Sequence, residues 1–346
     1  MSNYVAYLCG HLYALALKEF HACLKAEGIP YEVVKEEEQL VHFSSAESPV
    51  KGVKRCALTH CLIKLIASGE IIDNQLVIHT HHELPKLSEN STYAARVYRL
   101  GKKSFTMPTP ELESKIGEYF GLKAKNLNLK VNLKSPDFII RGLVIKNKVY
   151  IGLELWHINR KEYLARDPGK RPVFRPGSMK SEFAKAMVNL SQIKQNELLY
   201  DPFCGSGGML IEGLTLDAFS IGSDIDYEAI QAARANLSAL RKDYYMLFIS
   251  DSRSIPLHEV DAIVTDPPYS IQSSTHGEDV RVLIERFLHE ARNVLKDSGR
   301  IVLSAPAWSE VDKLVHKSGF EIETCLDVRI HRSLTRRIVV GVKHDT

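Results

Sequence analysis

The chain has 346 residues, more than one compact core usually holds and enough for two or three domains of ~100–200 residues each. Apolar residues are 45% and charged residues 25% of it, ordinary globular values that exclude a disordered or fibrous chain. The net charge of +3 hides a split: residues 1–175 carry 26 Lys and Arg against 18 Asp and Glu, and residues 176–346 carry 19 against 24.

Residues 1–60 read as a small α/β unit. The opening MSNYVAYLCG lacks the basic region of a secretory signal, and YVAYLCG itself is a strand. LALKEFHACLKAEG is an amphipathic helix stopped by Gly28 and Pro30. YEVVKEEE and QLVHFSS read as strands, and residues 53–68 carry a helical apolar pattern. HTHHE, at the end of a strand, lacks the helical spacing of a zinc motif and reads as a polar surface turn. TYAARVYRL alternates as a strand, ELESKIGEYFG is a helix begun near Pro110, and residues 130–155 give two or three strands with a hairpin turn at 146–148. Residues 86–175 hold 19 basic and 8 acidic residues, which suits either a solvated basic face or a nucleic-acid surface. Residues 156–180, with their prolines, glycines and basic residues, read as an extended linker.

Beyond residue 181 strands and helices alternate. ELLYDPF, FSIGSDI, YMLFISD, AIVTDPP, RIVLSAP and RRIVVGVK are strand candidates with helical segments between them, the pattern of a doubly wound, mostly parallel sheet. No apolar stretch approaches the ~18–20 residues of a membrane helix. Six cysteines, at 9, 23, 56, 61, 204 and 325, form no CxxC pair and no zinc pattern, as suits free thiols in a reducing cytoplasm.

A doubly wound sheet binds ligands beyond the C-terminal ends of its strands. The first strand is followed by Asp201-Pro-Phe203-Cys204-Gly205-Ser206-Gly207-Gly208, a glycine turn that a ligand can approach closely, or a plain structural turn. The second ends at Asp224-Ile225-Asp226. Asp224 is a candidate for both ribose hydroxyls of a nucleoside cofactor, and Asp226 suits a helix N-cap. Asp251 and Ser252 follow the third, where an acid can accept an adenine amine or simply close a turn. The fourth leads into Asp266-Pro267-Pro268-Tyr269. Here two prolines remove donors and leave carbonyls, between a carboxylate and a flat ring. That array suits a planar base with an exocyclic amine, the amine held by Asp266 and the Pro267 carbonyl and the ring stacked on Tyr269.

DPFCGSGG, GSDID, ISDSR and DPPY, in that order over about 165 residues, resemble the cofactor and catalytic motifs of Rossmann-like class I S-adenosylmethionine-dependent amino-methyltransferases. RPVFRPGSMKSEFAKAMVNLS is similar to the segment that joins a THUMP domain to such an enzyme. The opening and the closing HRSLTRRIVVGVK resemble archaeal THUMP-domain tRNA guanine-N2 methyltransferases acting on guanosine 10. Ser270 departs from the glycine common there.

The resemblance implies an α/β chain with an α+β ferredoxin-like unit over 1–62, a THUMP domain over 63–155, a linker over 156–180 and a methyltransferase domain over 181–346. That last domain would carry a seven-stranded sheet closed by an antiparallel hairpin. It further implies mono- and then dimethylation of guanosine N2 in tRNA, with S-adenosylmethionine held by Asp201, Phe203, Cys204, Gly205, Ser206, Gly207, Asp224, Ile225, Asp251, Ser252 and Asp266. The acceptor end of tRNA would be gripped by the THUMP module. Arg96, Arg99, Lys102, Lys103, Lys123, Lys125, Lys130, Lys134 and Arg141 are the candidate phosphate contacts there. A small zinc-binding activator protein is a further implied partner of an otherwise monomeric chain with no metal of its own. Competing readings are tRNA position 6, ribosomal RNA, a DNA amino-methyltransferase, and a non-catalytic tRNA-binding protein.

Overall fold

The protein's structure, a computed structural model, describes residues 1–101, 106–268, 279–331 and 334–344. Lys102, Lys103 and Tyr269 of the expected site lie outside the described residues. The chain divides into two compact units. One comprises Met1–Tyr13, Ile29–Lys54 and Thr59–Ile158, and the other Ala14–Gly28, Arg55–Leu58 and Asn159–Thr346.

Up to residue 157 the chain runs β1 (Ser2–Leu8), α1 (Tyr13–Ala26), β2 (Glu32–Glu37), β3 (Leu40–Ser45), α2 (Val50–Arg55), β4 (Thr59–Ile72), β5 (Gln75–His81), β6 (Thr92–Leu100), α3 (Thr109–Lys123), β7 (Lys130–Val131), β8 (Phe138–Ile145) and β9 (Lys148–His157), all in the first unit except α1 from Ala14 onward and Arg55. The strands form one sheet in the order β2-β3-β1-β4-β9-β8-β6-β7, with β5 added beside β4. Alternating Tyr93, Ala95, Ile140, Val149 and Ile151 face α3, which inserts Leu112, Ile116 and Phe120 between them. At the hairpin between β8 and β9, Lys146 takes a left-handed φ of 53°. Residues 59–68, expected to be helical, are strand. β4 pairs with β1, β5 and β9, and most of its residues are buried, so its apolar run is nearly continuous. Such a run imitates a helical pattern.

α1 and residues 55–58 group with the second unit through a buried polar knot. Fully buried Glu19 accepts the N–H groups of Ala57 (2.7 Å) and Leu58 (2.8 Å) and the Asn189 amide (2.7 Å). Arg55 joins Glu27 (2.9 Å) to the Ile193 carbonyl (2.8 Å). The expected linker is not extended throughout: α4 (Arg160–Arg166) and a 3-10 turn at Pro168–Lys170 occupy its first half.

The rest of this unit alternates as anticipated: α5 (Ser181–Leu190), β10 (Leu198–Asp201), α6 (Gly208–Leu214), β11 (Phe219–Asp224), α7 (Tyr227–Ser238), β12 (Tyr245–Ile249), β13 (Val260–Thr265), α8 (Val280–Val294), β14 (Leu295–Pro306), α9 (Val311–Lys317), β15 (Phe320–His331) and β16 (Leu334–Lys343). The sheet runs β12-β11-β10-β13-β14-β16-β15. Its first five strands are parallel, and β16 and β15 form the antiparallel close. The chain order reverses between β10 and β13, so the switch-point crevice opens beyond Asp201 and Asp266.

Candidate active site

Asp201 ends β10 with its side chain inside. Its Oδ1 accepts the Thr265 hydroxyl (2.6 Å) and the Phe203 N–H (3.2 Å). Burial, reinforced by the charges of Asp224 and Asp266, pushes its carboxyl up to about 7. The turn that follows needs left-handed backbone at Gly205 (φ 50°) and Gly207 (φ 84°), which glycine adopts without strain. A methyl group built on Gly205 would meet no atom of the described residues within 4 Å, so space lies over the turn, whereas one on Gly207 would press on Ala233 at 3.4 Å. Buried Cys204 packs in the turn, its thiol pushed up by burial and by Asp201 and Asp224, as suits a packing residue and not a nucleophile. Phe203 sits edge-on to Phe287 at 5.4 Å.

Asp224 pins this turn from β11. Its Oδ2 accepts the Gly205 N–H (2.9 Å) and its Oδ1 the Asp226 N–H (3.0 Å). Each oxygen keeps a lone pair for a diol. Burial raises its carboxyl. Asp226 caps α7 by accepting the Glu228 N–H (2.9 Å) and pairs with Arg175 (2.6 Å). Ile225 is exposed beside them. Asp251 is engaged by Arg253 at 2.6 Å, so an adenine amine would share that carboxylate with a guanidinium, and Ser252 is buried. A cleft of about 420 Å³ adjoins them, lined by Asp251, Arg253, Ser254, Arg286, His289 and Glu290.

Asp266, just past β13, is partly buried. Its Oδ2 lies 2.5 Å from Arg336 Nη1, and its Oδ1 is shielded from solvent with no hydrogen-bond partner among the described residues. Burial raises this carboxyl, while Arg336 and Ser304 pull it back. Pro267 is buried behind it. The site therefore gathers three acids at adjoining strand ends around a glycine turn with room above it. A cationic sulfonium nucleoside fits that charge and that space.

Sequence reasoning missed the clasp from the segment before α5. Ser178 meets Ser206 (3.0 Å), Asn236 accepts the Val173 N–H (2.9 Å), and Arg175 holds Asp226. It also missed Thr265 and Arg336. Of the expected phosphate contacts, Arg141 is withdrawn: it is 6% exposed, paired with Glu154 at 2.7 Å and laid over the Tyr98 ring. Arg96 turns to the Ala95 and Leu133 carbonyls and Arg99 to the Met107 carbonyl, so both serve the domain's own backbone. Lys125, Lys130 and Lys134 are exposed, with no ion-pair partner among the described residues, and Lys123 is half-buried.

Fold and site together define a Rossmann-like class I methyltransferase domain. Residues 168–338 match the family model described as RMKL-like, methyltransferase domain, and residues 82–154 match the THUMP domain. The chain is 33% identical over 326 residues to the tRNA (guanine(10)-N2)-dimethyltransferase of Methanothermobacter thermautotrophicus, covering 93% of this chain and 94% of the relative. It is 35% identical to the enzyme of that name from Methanocaldococcus jannaschii, over 75% of this chain and 73% of the relative. In fold it resembles TrmN from Thermus thermophilus, with a TM-score of 0.55 at 21% identity over 99% of both chains. The chain belongs to the tRNA (guanine(10)-N2)-dimethyltransferase family.

Proposed function

We propose that this chain methylates the exocyclic N2 of guanosine 10 in tRNA, once and then again, in the cytoplasm. The relatives' names supply the substrate, and the observation that carries the chemistry is Oδ1 of Asp266, which has no hydrogen-bond partner among the described residues. S-adenosylmethionine, when bound, supplies a methyl group made electrophilic by its sulfonium. Asp201 and Asp224 would hold it at the glycine turn. Guanine N2 is a poor nucleophile because its lone pair is delocalised into the ring. Asp266 Oδ1, by accepting an N2–H, orients that lone pair and takes the proton as the new bond forms. N2-methylguanosine still has one N–H for the same oxygen, which suits a second transfer. The base must leave its stack to reach the site, and Tyr269 would hold it there.

Methyl transfer from labelled cofactor to a tRNA transcript tests this reading. N2-methyl- and then N2,N2-dimethylguanosine should appear, and Asp266→Ala should cost at least ~10²-fold in rate with cofactor binding retained. Unchanged incorporation into a transcript lacking guanosine 10 would overturn the site assignment. A small zinc-binding activator is the finer proposal for a protein partner. Its support is β12, an edge strand that exposes Met246 and Ile249, with exposed Tyr244 just before it. Full activity and stability of the chain alone would reject it.

A further inference from the structure

Asp266 is held from the far side of the sheet. β16 runs antiparallel to β14, with Arg336 opposite Pro306. Arg336 therefore begins β16 at the same edge where Asp266 leaves β13. Its side chain crosses β14, placing Nη1 2.5 Å from Asp266 Oδ2 and 3.4 Å from Ser304 Oγ. Arg336 is 6% exposed. A guanidinium stripped of water is tolerated when a carboxylate and hydrogen bonds compensate it. Here the carboxylate that does so still has its second oxygen without a partner among the described residues.

We propose that Arg336 is a positioning residue for methyl transfer, one that pins Oδ2 of Asp266 and so leaves Oδ1 as the acceptor for the target amine. The inference rests on Asp266 being that acceptor. Arg336 touches no reacting atom; it fixes the plane and the charge state of a group that does. Burial works against ionisation of Asp266, and Arg336 with Ser304 works for it. The ionised carboxylate is the active form, so activity falls on the acid side as Asp266 takes up a proton. Removing the guanidinium leaves burial opposed by Ser304 alone and moves that acid limb to higher pH.

The test is single-turnover methyl transfer to a tRNA transcript by the full chain at saturating cofactor, followed from acid to alkaline pH. Cofactor binding and thermal melting are measured on the same samples. Arg336→Gln should lower the rate about 10- to 100-fold near neutral pH and move the acid limb up by about one pH unit, with cofactor affinity kept. Arg336→Lys should keep the acid limb near its original place while still losing rate, because an ammonium supplies the charge without the planar hold. A folded Arg336→Gln with an unmoved acid limb and the original rate overturns the proposal. So does an Arg336→Lys variant whose limb moves as far as that of the glutamine variant. If the glutamine variant does not fold, the lysine variant decides: reduced rate with the limb in place supports the proposal, and unchanged rate overturns it. Asp266→Asn separates the two levels. If it turns over normally, the assignment of Asp266 fails and this inference with it. If it is inactive while Arg336→Gln is normal, only the role of Arg336 fails.

Discussion

Asp201, proposed to hold the cofactor, would tie its binding to pH. Burial and two neighbouring acids hold its carboxyl at about 7 in the free protein. A bound cation opposes all three effects, so the carboxyl lies lower in the complex. Binding then releases a proton wherever free Asp201 is protonated, and affinity falls as pH drops below about 7. Titration calorimetry of the cofactor from pH 8 to pH 6 should show a rising Kd and a buffer-dependent enthalpy of proton release. The cofactor's own amine titrates near ~8, so Asp201→Asn is the control, and it should keep only that second dependence. An identical pH profile in the asparagine variant would remove Asp201 from the linkage. The four acids at strand ends were legible because parallel strands repeat one layout, with chemistry at each C-terminus. Arg336 was not legible: it lies 70 residues from Asp266, and only the antiparallel register of β16 brings it there.

At the scale of elements, α1 is held by Glu19, whose carboxyl burial pushes up to about 7 against three donors that favour its ionised form. Because its folded value lies above the unfolded one, the folded state holds the extra proton between about pH 4.5 and 7. Stability contributed by this group therefore falls as pH rises through that window. Glu19→Ala removes the titration but leaves the Ala57 and Leu58 N–H groups and the Asn189 amide without their acceptor. It should cost about 2–4 kcal/mol, read as a lower melting temperature at pH 7, together with a flatter stability profile between pH 5 and 7. Thermal melts within experimental error of the original protein would refute this account of how α1 is held. Helix α1 itself was readable from its apolar face, but its acceptor role was not, because Asn189 lies 170 residues away. The misreading of β4 has the same origin: a strand paired along both edges and buried on both faces loses the period-2 signal that identifies strands. Arg141 was miscounted as an RNA contact because a residue's type records its charge and not whether Glu154 already neutralises it.

Over the whole chain, the near-neutral total separates into a basic stretch within residues 86–175 and a methyltransferase region with an acidic excess. Among the candidate phosphate contacts, three lysines are exposed with no ion-pair partner among the described residues. Lys125, Lys130 and Lys134 cluster around β7, the strand at one edge of the first sheet. Lysines that neutralise backbone phosphate release counterions, and each adds about 0.7–0.9 to the slope of log affinity against log salt. Replacing all three with glutamine should therefore weaken tRNA binding uniformly across tRNA sequences and reduce that slope by about 2–3. The acids at the strand ends of the methyltransferase sheet are untouched by these changes. Rate at saturating tRNA should accordingly hold while KM for tRNA rises, and the rise should shrink as salt is added because the original protein loses the same contacts to screening. A triple variant with an unchanged salt slope would mean that these lysines face solvent only and that tRNA is gripped elsewhere. A loss of saturating rate with KM unchanged would mean that they act on the chemistry and not on docking.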